Sequence, residues 1–198
     1  MKLISNHDCL PCGSTVATIG MFDGVHLGHV TLINEVKRIA RERHLQSAVI
    51  TFAQHPQAVL RSDSDIKMLL TTADKVAQIE RHGIDVTVLL DFTLSLSRHT
   101  SRQFLQLLRD RYGVAVLVVG YDHRFGHDPN ESFADYVQHG KDLGIDVLKA
   151  PEYLGEYAPV SSSIIRRLIA SGKVDDAMRC MGRPYTLKGK VVHGFHNG

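Results

Sequence analysis

Short β-branched runs alternate along this chain with longer stretches whose apolar residues recur every three or four positions. Thr15 to Gly20 (TVATIG), Ser47 to Phe52 (SAVITF), Ile84 to Leu90 (IDVTVLL), Val114 to Gly120 (VAVLVVG) and Ile145 to Lys149 predict strands. SAVITF is continuously apolar, as in strands buried on both faces. VAVLVVG is the most apolar and is expected at the centre of the sheet. Between them, His29 to Arg43 predicts a helix with Val30, Ile33, Val36 or Lys37, and Ala40 along one face. Further helices are expected from Thr71-Thr72-Ala73-Asp74 to His82-Gly83, from about Thr100 to Tyr112 before Gly113, from Phe133 to Leu143 before Gly144, from Ser162 to Ala170, and from Val174 to Met181.

Strands joined through helices imply an α/β fold, a doubly wound parallel sheet covered on both faces. Ligands of such sheets bind beyond the carboxyl ends of the strands, where the connection order reverses. The loops after Gly20, Phe52, Leu90 and Gly120, and the one before Ser162, are therefore where chemistry is expected. No internal repeat is present.

Composition narrows the class. With 198 residues, 43% apolar and 22% charged, the chain is expected to fold as one principal globular domain. Its net charge of +2 gives no argument for a nucleic-acid partner. No apolar stretch approaches a membrane span, and residues 1–11 show no signal peptide. A cytoplasmic protein is the expectation. Cys9 and Cys12 have the spacing of a dithiol or half a zinc site. A structural zinc needs four ligands, and only His7 lies nearby, so two reduced thiols are expected.

The first loop, Gly20-Met21-Phe22-Asp23-Gly24-Val25-His26-Leu27-Gly28-His29, joins a strand to a helix. Its glycines let backbone approach a ligand closely. A helix opening near Gly28 or His29 turns N–H groups and a positive dipole end toward the loop. His26 and His29, three apart, can aim both imidazoles at one phosphate, which suits a reaction in which charge grows on a phosphoryl group. A His-x-x-His metal pair lacks a visible third ligand. Ser162 and Ser163 can cap a helix and donate to phosphate oxygens. Arg166, one turn on, offers a forked cation.

GMFDGVHLGH resembles the signature of the His-x-Gly-His nucleotidyltransferases, and in particular the bacterial bifunctional riboflavin kinase/FAD synthetases, with a Rossmann-like sheet. Thr51-Phe52-Ala53-Gln54-His55-Pro56 is similar to that family's Thr-Phe-x-Pro-His-Pro turn, with Gln54 in place of a proline. Gly120-Tyr121-Asp122-His123-Arg124-Phe125-Gly126 is similar to its Gly-Phe-Asp-Phe-Arg-Phe-Gly element, with His123 where an aromatic is usual. Ser161-Ser162-Ser163-Ile164-Ile165-Arg166 matches its Ser-Ser/Thr-x-x-Arg motif.

The resemblance implies transfer of AMP from ATP to FMN, giving FAD and pyrophosphate, with Mg2+ accompanying ATP. It assigns His26, His29 and Arg166 to catalysis. Gly20, Met21, Phe22, Asp23, Gly24, Ser162 and Ser163, with those three, are assigned to ATP, whose adenine lies near the end of VAVLVVG. Phe52, His55, Pro56, Asp122 and Phe125 are assigned to FMN, and no metal ligand is assigned. Gly182 to Gly194 resembles the entry to a riboflavin kinase domain. The expected division is therefore an adenylyltransferase at 1–182 and the start of a kinase at 183–198, with the rest of the kinase in cis in a longer protein. The kinase's Pro-Thr-Ala-Asn motif is absent, so riboflavin kinase activity is not expected of these 198 residues, and the tail from Thr186 is expected disordered or as an edge strand. Two rivals stand: the same chemistry on another phosphate acceptor, and a binder that does not react.

Overall fold

The computed structural model describes residues 1–6, 8–60, 66–121 and 124–192. Six strands form one all-parallel sheet: β1 (Lys2–Ser5), β2 (Thr15–Ile19), β3 (Gln46–Phe52), β4 (Val86–Leu90), β5 (Val114–Val119) and β6 (Asp146–Lys149), in the order β1-β4-β3-β2-β5-β6. From β2 the chain builds outward through β3 and β4, then returns to β2's other side for β5 and β6. The order therefore reverses beside β2, the place where such sheets bind ligands.

Strand side chains alternate between two cores, which is why the strand sequences read as unbroken apolar runs. Val16, Val49, Val116 and Val118 pack on α1 (Leu27–Arg43) through Leu32, Ile33, Val36 and Ile39, and on α3 (Thr72–Arg81) through Ile79. Ala17, Ile19, Ile50, Val88, Leu117 and Val119 pack on the other face against Phe104, Leu105, Leu108 and Tyr112 of α5 (Ser101–Tyr112) and Tyr136 and Leu143 of α6 (Phe133–Leu143). The doubly wound parallel sheet expected from the sequence is the fold observed. A smaller cluster joins α7 (Ser162–Ala170) and α8 (Val174–Met181) through Ile165, Ala177 and Met181, with Leu69.

Several boundaries differ from expectation. VAVLVVG forms β5, which is interior but neighbours the edge strand β6; the two middle places belong to β3 and β2. Strand β4 opens at Val86, two residues late, because the Asp85 carboxylate accepts bonds from the backbone and hydroxyl of Ser47. Three short elements were not expected: β1, α2 (Pro56–Leu60) and α4 (Leu94–Ser97). Beyond α8, residues 183–192 carry neither helix nor strand, and Val191 is 97% exposed. The kinase-like His193 and Gly194 lie outside the described residues, as does His7. Cys9 and Cys12 are exposed free thiols.

Candidate active site

The loop leaving β2 is strained and firmly seated. Phe22 and Val25 hold positive φ of 51° and 39°, and Gly24 between them has 81°. Non-glycine residues in this region cost of order 1–3 kcal/mol each and persist only where their surroundings fix them. Here both side chains are fully buried in the α1-side core. A Cβ on Gly24 would come within 2.8 Å of Leu69 Cδ1, so the close approach as well as the φ demands glycine.

Helix α1 begins at Leu27, two residues earlier than expected, because His26 is its N-cap. The His26 Nδ1 accepts the His29 backbone N–H at 3.4 Å, so in its neutral form the ring carries its proton on Nε2. The two imidazoles stack, with centroids 3.7 Å apart and planes 20° from parallel. A Cβ on Gly28 would stand 3.3 Å from the His26 ring, which explains the glycine between the histidines.

Asp23 joins this loop to the far end of the chain. Its carboxylate, 1% exposed, accepts from the backbone N–H groups of Leu69 and Leu70 and from Arg166 Nη2 at 2.7 Å. Its carbonyl accepts the Ser162 hydroxyl at 2.8 Å. The cap of α7 is Ser161, which accepts from Ile164 N, and not Ser162 or Ser163 as expected; Ser163 is exposed. Arg166 also donates through Nε to Lys67 O.

These contacts enclose a cavity of about 550 Å³. Gly20, Met21, Phe22, Asp23, His26, His29, Ser162, Ser163 and Arg166 all line it, so residues from opposite ends of the chain converge as the sequence required. Gly24 does not line it; its carbonyl is occupied by Arg183 Nη2 at 2.7 Å. Beyond the tips of β5 and β6 the same cavity is walled by Tyr121, Ala150, Pro151 and Tyr153.

A second cavity of about 680 Å³ lies toward α5. Phe52, Pro56 and Phe125 line it together with Phe92, Leu94, Leu96 and Phe104, and Arg98, His99, Arg124 and His127 add basic groups. His55 lines the first cavity instead, half-buried, with its pKa held below the usual histidine value by burial and by Arg166 and Lys75, against the pull of Asp23. Asp122 lies outside the described residues. Among the described residues, only Ile19 and Met21 line both cavities.

Sequence reasoning missed Lys75. It is 1% exposed and donates to Phe52 O at 2.6 Å and Met21 O at 3.2 Å, bracing the ends of β3 and β2 between the cavities. Burial lowers its pKa to about 8, partly opposed by Asp23. One signal was present: Lys75 stands four residues before Ile79, on the buried face of α3.

A family model described as FAD synthetase matches residues 12–164, which include the first loop and Ser162. The chain belongs to the FAD synthetase family. Its sheet is thus the Rossmann-like sheet of the nucleotidyltransferases. FAD synthetase relatives include the bifunctional riboflavin kinase/FMN adenylyltransferases of Bacillus subtilis, 35% identical over 93% of this chain and 58% of that protein. That of Listeria monocytogenes is 34% identical over 92% of this chain and 58% of its own length, and that of Escherichia coli K12 is 29% identical over the whole chain and 64% of its length. The chain thus spans about three-fifths of these relatives. A crystal structure described as a macrolide-efflux protein from Streptococcus pneumoniae superposes with a TM-score of 0.80 at 25% identity, covering 93% of this chain and 72% of that one. Among the described residues of this FAD synthetase family member, no helix is long and apolar enough to cross a membrane.

Proposed function

We propose that this chain transfers AMP from ATP to FMN, making FAD and pyrophosphate in the cytoplasm. One observation carries the reading: a polar cavity bearing His26, His29, Ser162 and Arg166 adjoins an aromatic one across the tip of β2. The first suits a triphosphate. The second suits a flat apolar ring system, with Phe52, Pro56 and Phe125 as walls.

ATP lies in the first cavity with its adenine toward Tyr121, Ala150 and Tyr153 and its phosphates toward the histidines. The FMN phosphate reaches past Met21, and one of its oxygens attacks the α-phosphorus in line. A new P–O bond forms as the bond to the β-phosphate bridging oxygen breaks, and pyrophosphate leaves without a covalent enzyme intermediate. His26 and His29 donate to the oxygens on which charge grows. Arg166 and Ser162 hold the departing phosphates. Arg166 is already aligned by Asp23, whose buried carboxylate also keeps the guanidinium's charge compensated before ATP arrives.

Mg2+ enters with ATP as part of the substrate and offsets the repulsion between two polyanions. Of the carboxylates lining the first cavity, Asp23 is taken up by Arg166 and backbone N–H groups, and Glu152 is exposed. The phosphate oxygens themselves are then the ion's main ligands, as suits a cation that keeps several waters. The longer protein to which this chain corresponds carries riboflavin kinase activity in cis.

The test is product analysis. Chain, ATP, Mg2+ and FMN should yield FAD and pyrophosphate in equal amounts. Parallel reactions with phosphopantetheine, nicotinamide mononucleotide or choline phosphate should yield neither an adenylylated product nor pyrophosphate. Turnover of one of those acceptors in preference to FMN overturns the substrate assignment; binding of ATP and FMN without pyrophosphate release overturns the enzymatic one.

A further inference from the structure

The resemblance places residue 183 at the opening of the kinase part, yet its side chain reaches back 159 residues to the first loop. Gly182 ends α8 in a left-handed turn with φ of 67°, and a Cβ there would lie 2.7 Å from Leu27 Cδ2. The end of α8 is thereby seated on the first residue of α1, beside the His26 cap. Arg183 follows directly and donates through Nη2 to Gly24 O at 2.7 Å.

This placement is costly for an arginine. Its Nε is buried and has no hydrogen-bond partner among the described residues. Burial and the nearby Arg81 both lower the pKa of the guanidinium. A buried N–H left unpaired is destabilising, so packing and stability alone favour an apolar side chain here. What the guanidinium provides is a hold on one particular carbonyl. Gly24 lies between the two residues of the loop with strained φ, and its own φ is positive. Asp23 is fixed by Ser162, Arg166 and residues 69–70, and Phe22 and Val25 are fixed by the core. Arg183 supplies the hold on Gly24 from the C-terminal side.

We infer that Arg183 is a positioning residue for the phosphoryl-transfer loop, so that the segment after α8 sets the geometry of His26 and His29. This rests on the adenylyltransferase reading for its effect on rate, but not for its effect on the loop. Arg183→Met keeps the apolar stem and removes the donor; Arg183→Lys keeps one donor.

Both variants are compared with the 198-residue parent by FAD-forming kinetics and by hydrogen exchange of peptides spanning 20–30 and 101–112. In Arg183→Met, kcat should fall by about tenfold or more, the scale expected when reacting groups lose alignment. The KM for FMN should stay within about twofold, since uniform binding is untouched. Exchange should rise across 20–30 and not across 101–112, and Arg183→Lys should recover most of both. Unchanged exchange at 20–30 in Arg183→Met overturns the inference, as does a rise spread equally over both segments in the two variants. Should the parent itself form no FAD, the functional reading fails while the exchange comparison still decides the role of Arg183.

Discussion

Lys75 is a lysine whose charge is kept inside the protein by two carbonyl oxygens and a carboxylate at longer range. Its folded-state pKa of about 8 lies below the ordinary 10.5. Below pH 8 folded and unfolded chains are both protonated there, and the cost of burying the ammonium stands in full. Between 8 and 10.5 the unfolded chain binds a proton that the folded one has released, so stability rises with pH across that window. The interval corresponds to about 3 kcal/mol in full. Urea unfolding of parent and Lys75→Met from pH 7 to 10 should therefore show the parent gaining on the variant above pH 8. A difference that stays flat would mean that the ammonium is better solvated than its surroundings indicate. His29 is the complementary case, a side chain that lines the first cavity and is proposed to act on the substrate. His29→Ala should lower turnover at saturating ATP and FMN by roughly a hundredfold or more, as loss of one fixed donor to a developing oxyanion does; parent-like turnover removes it from the mechanism. The histidines, Ser162 and Arg166 were legible because each stands in a short local pattern. Lys75 and Arg183 were not, because their roles lie in carbonyl oxygens 54 and 159 residues away, which no spacing encodes.

The long elements announced themselves through periodicity and through their stops: Gly113 and Gly144 close α5 and α6 in the left-handed region, and Thr100 opens α5 in a capping box with Gln103. The start of α1 was misplaced because histidine is an unusual cap and Leu27-Gly28 an unpromising first turn. Helices α2 and α4, of five and four residues, are too short to show a period, and neither has a buried residue. They carry Pro56, Leu60, Leu94 and Leu96 to the second cavity, so what was missed is also what shapes that cavity. Gly28 separates helix propensity from function. It lies in the first turn of α1, where alanine is favoured over glycine by up to about 1 kcal/mol. The new Cβ would meet the His26 ring at 3.3 Å, so the ring, stacked on His29, must give by a few tenths of an ångström. Gly28→Ala should thus melt at or slightly above the parent's temperature while losing about tenfold or more in kcat, the penalty for misaligned reacting groups. A variant as active as the parent would show that His26 can shift without consequence, and one that melts well below it would make the glycine structural.

Across the molecule, the sheet divides the task. The first cavity takes in Leu32 of α1 and the second Phe104 of α5, helices on opposite faces, so in the proposed reaction the two substrates would approach β2 from different sides and meet over its tip. Alternating strands and helices made the parallel sheet legible, but not that β1 completes it. Lys2–Ser5 has only Ile4 buried, too little pattern to read, and its reason for existing lies in its partner. Without β1, strand β4 would present an apolar unpaired edge. The pairing continues past the strand: Asn6 Nδ2 donates to Asp91 Oδ2 at 2.7 Å, and Asn6 Oδ1 accepts from Asp91 N at 3.1 Å. Asp91 directly precedes Phe92, which packs edge-on against Phe52 at the wall of the second cavity. Through Asp91 and Phe92 the N-terminal edge of the sheet therefore bears on the second cavity, the one proposed for FMN. Asn6→Ala removes both bonds without touching the β1–β4 ladder. It should raise the KM for FMN several-fold, consistent with loss of two exposed hydrogen bonds worth about 0.5–1.5 kcal/mol each. The KM for ATP and the oligomeric state should hold. If instead the KM for ATP rises as much as that for FMN, the two cavities are not mechanically separate, and β2 transmits strain between them rather than dividing them.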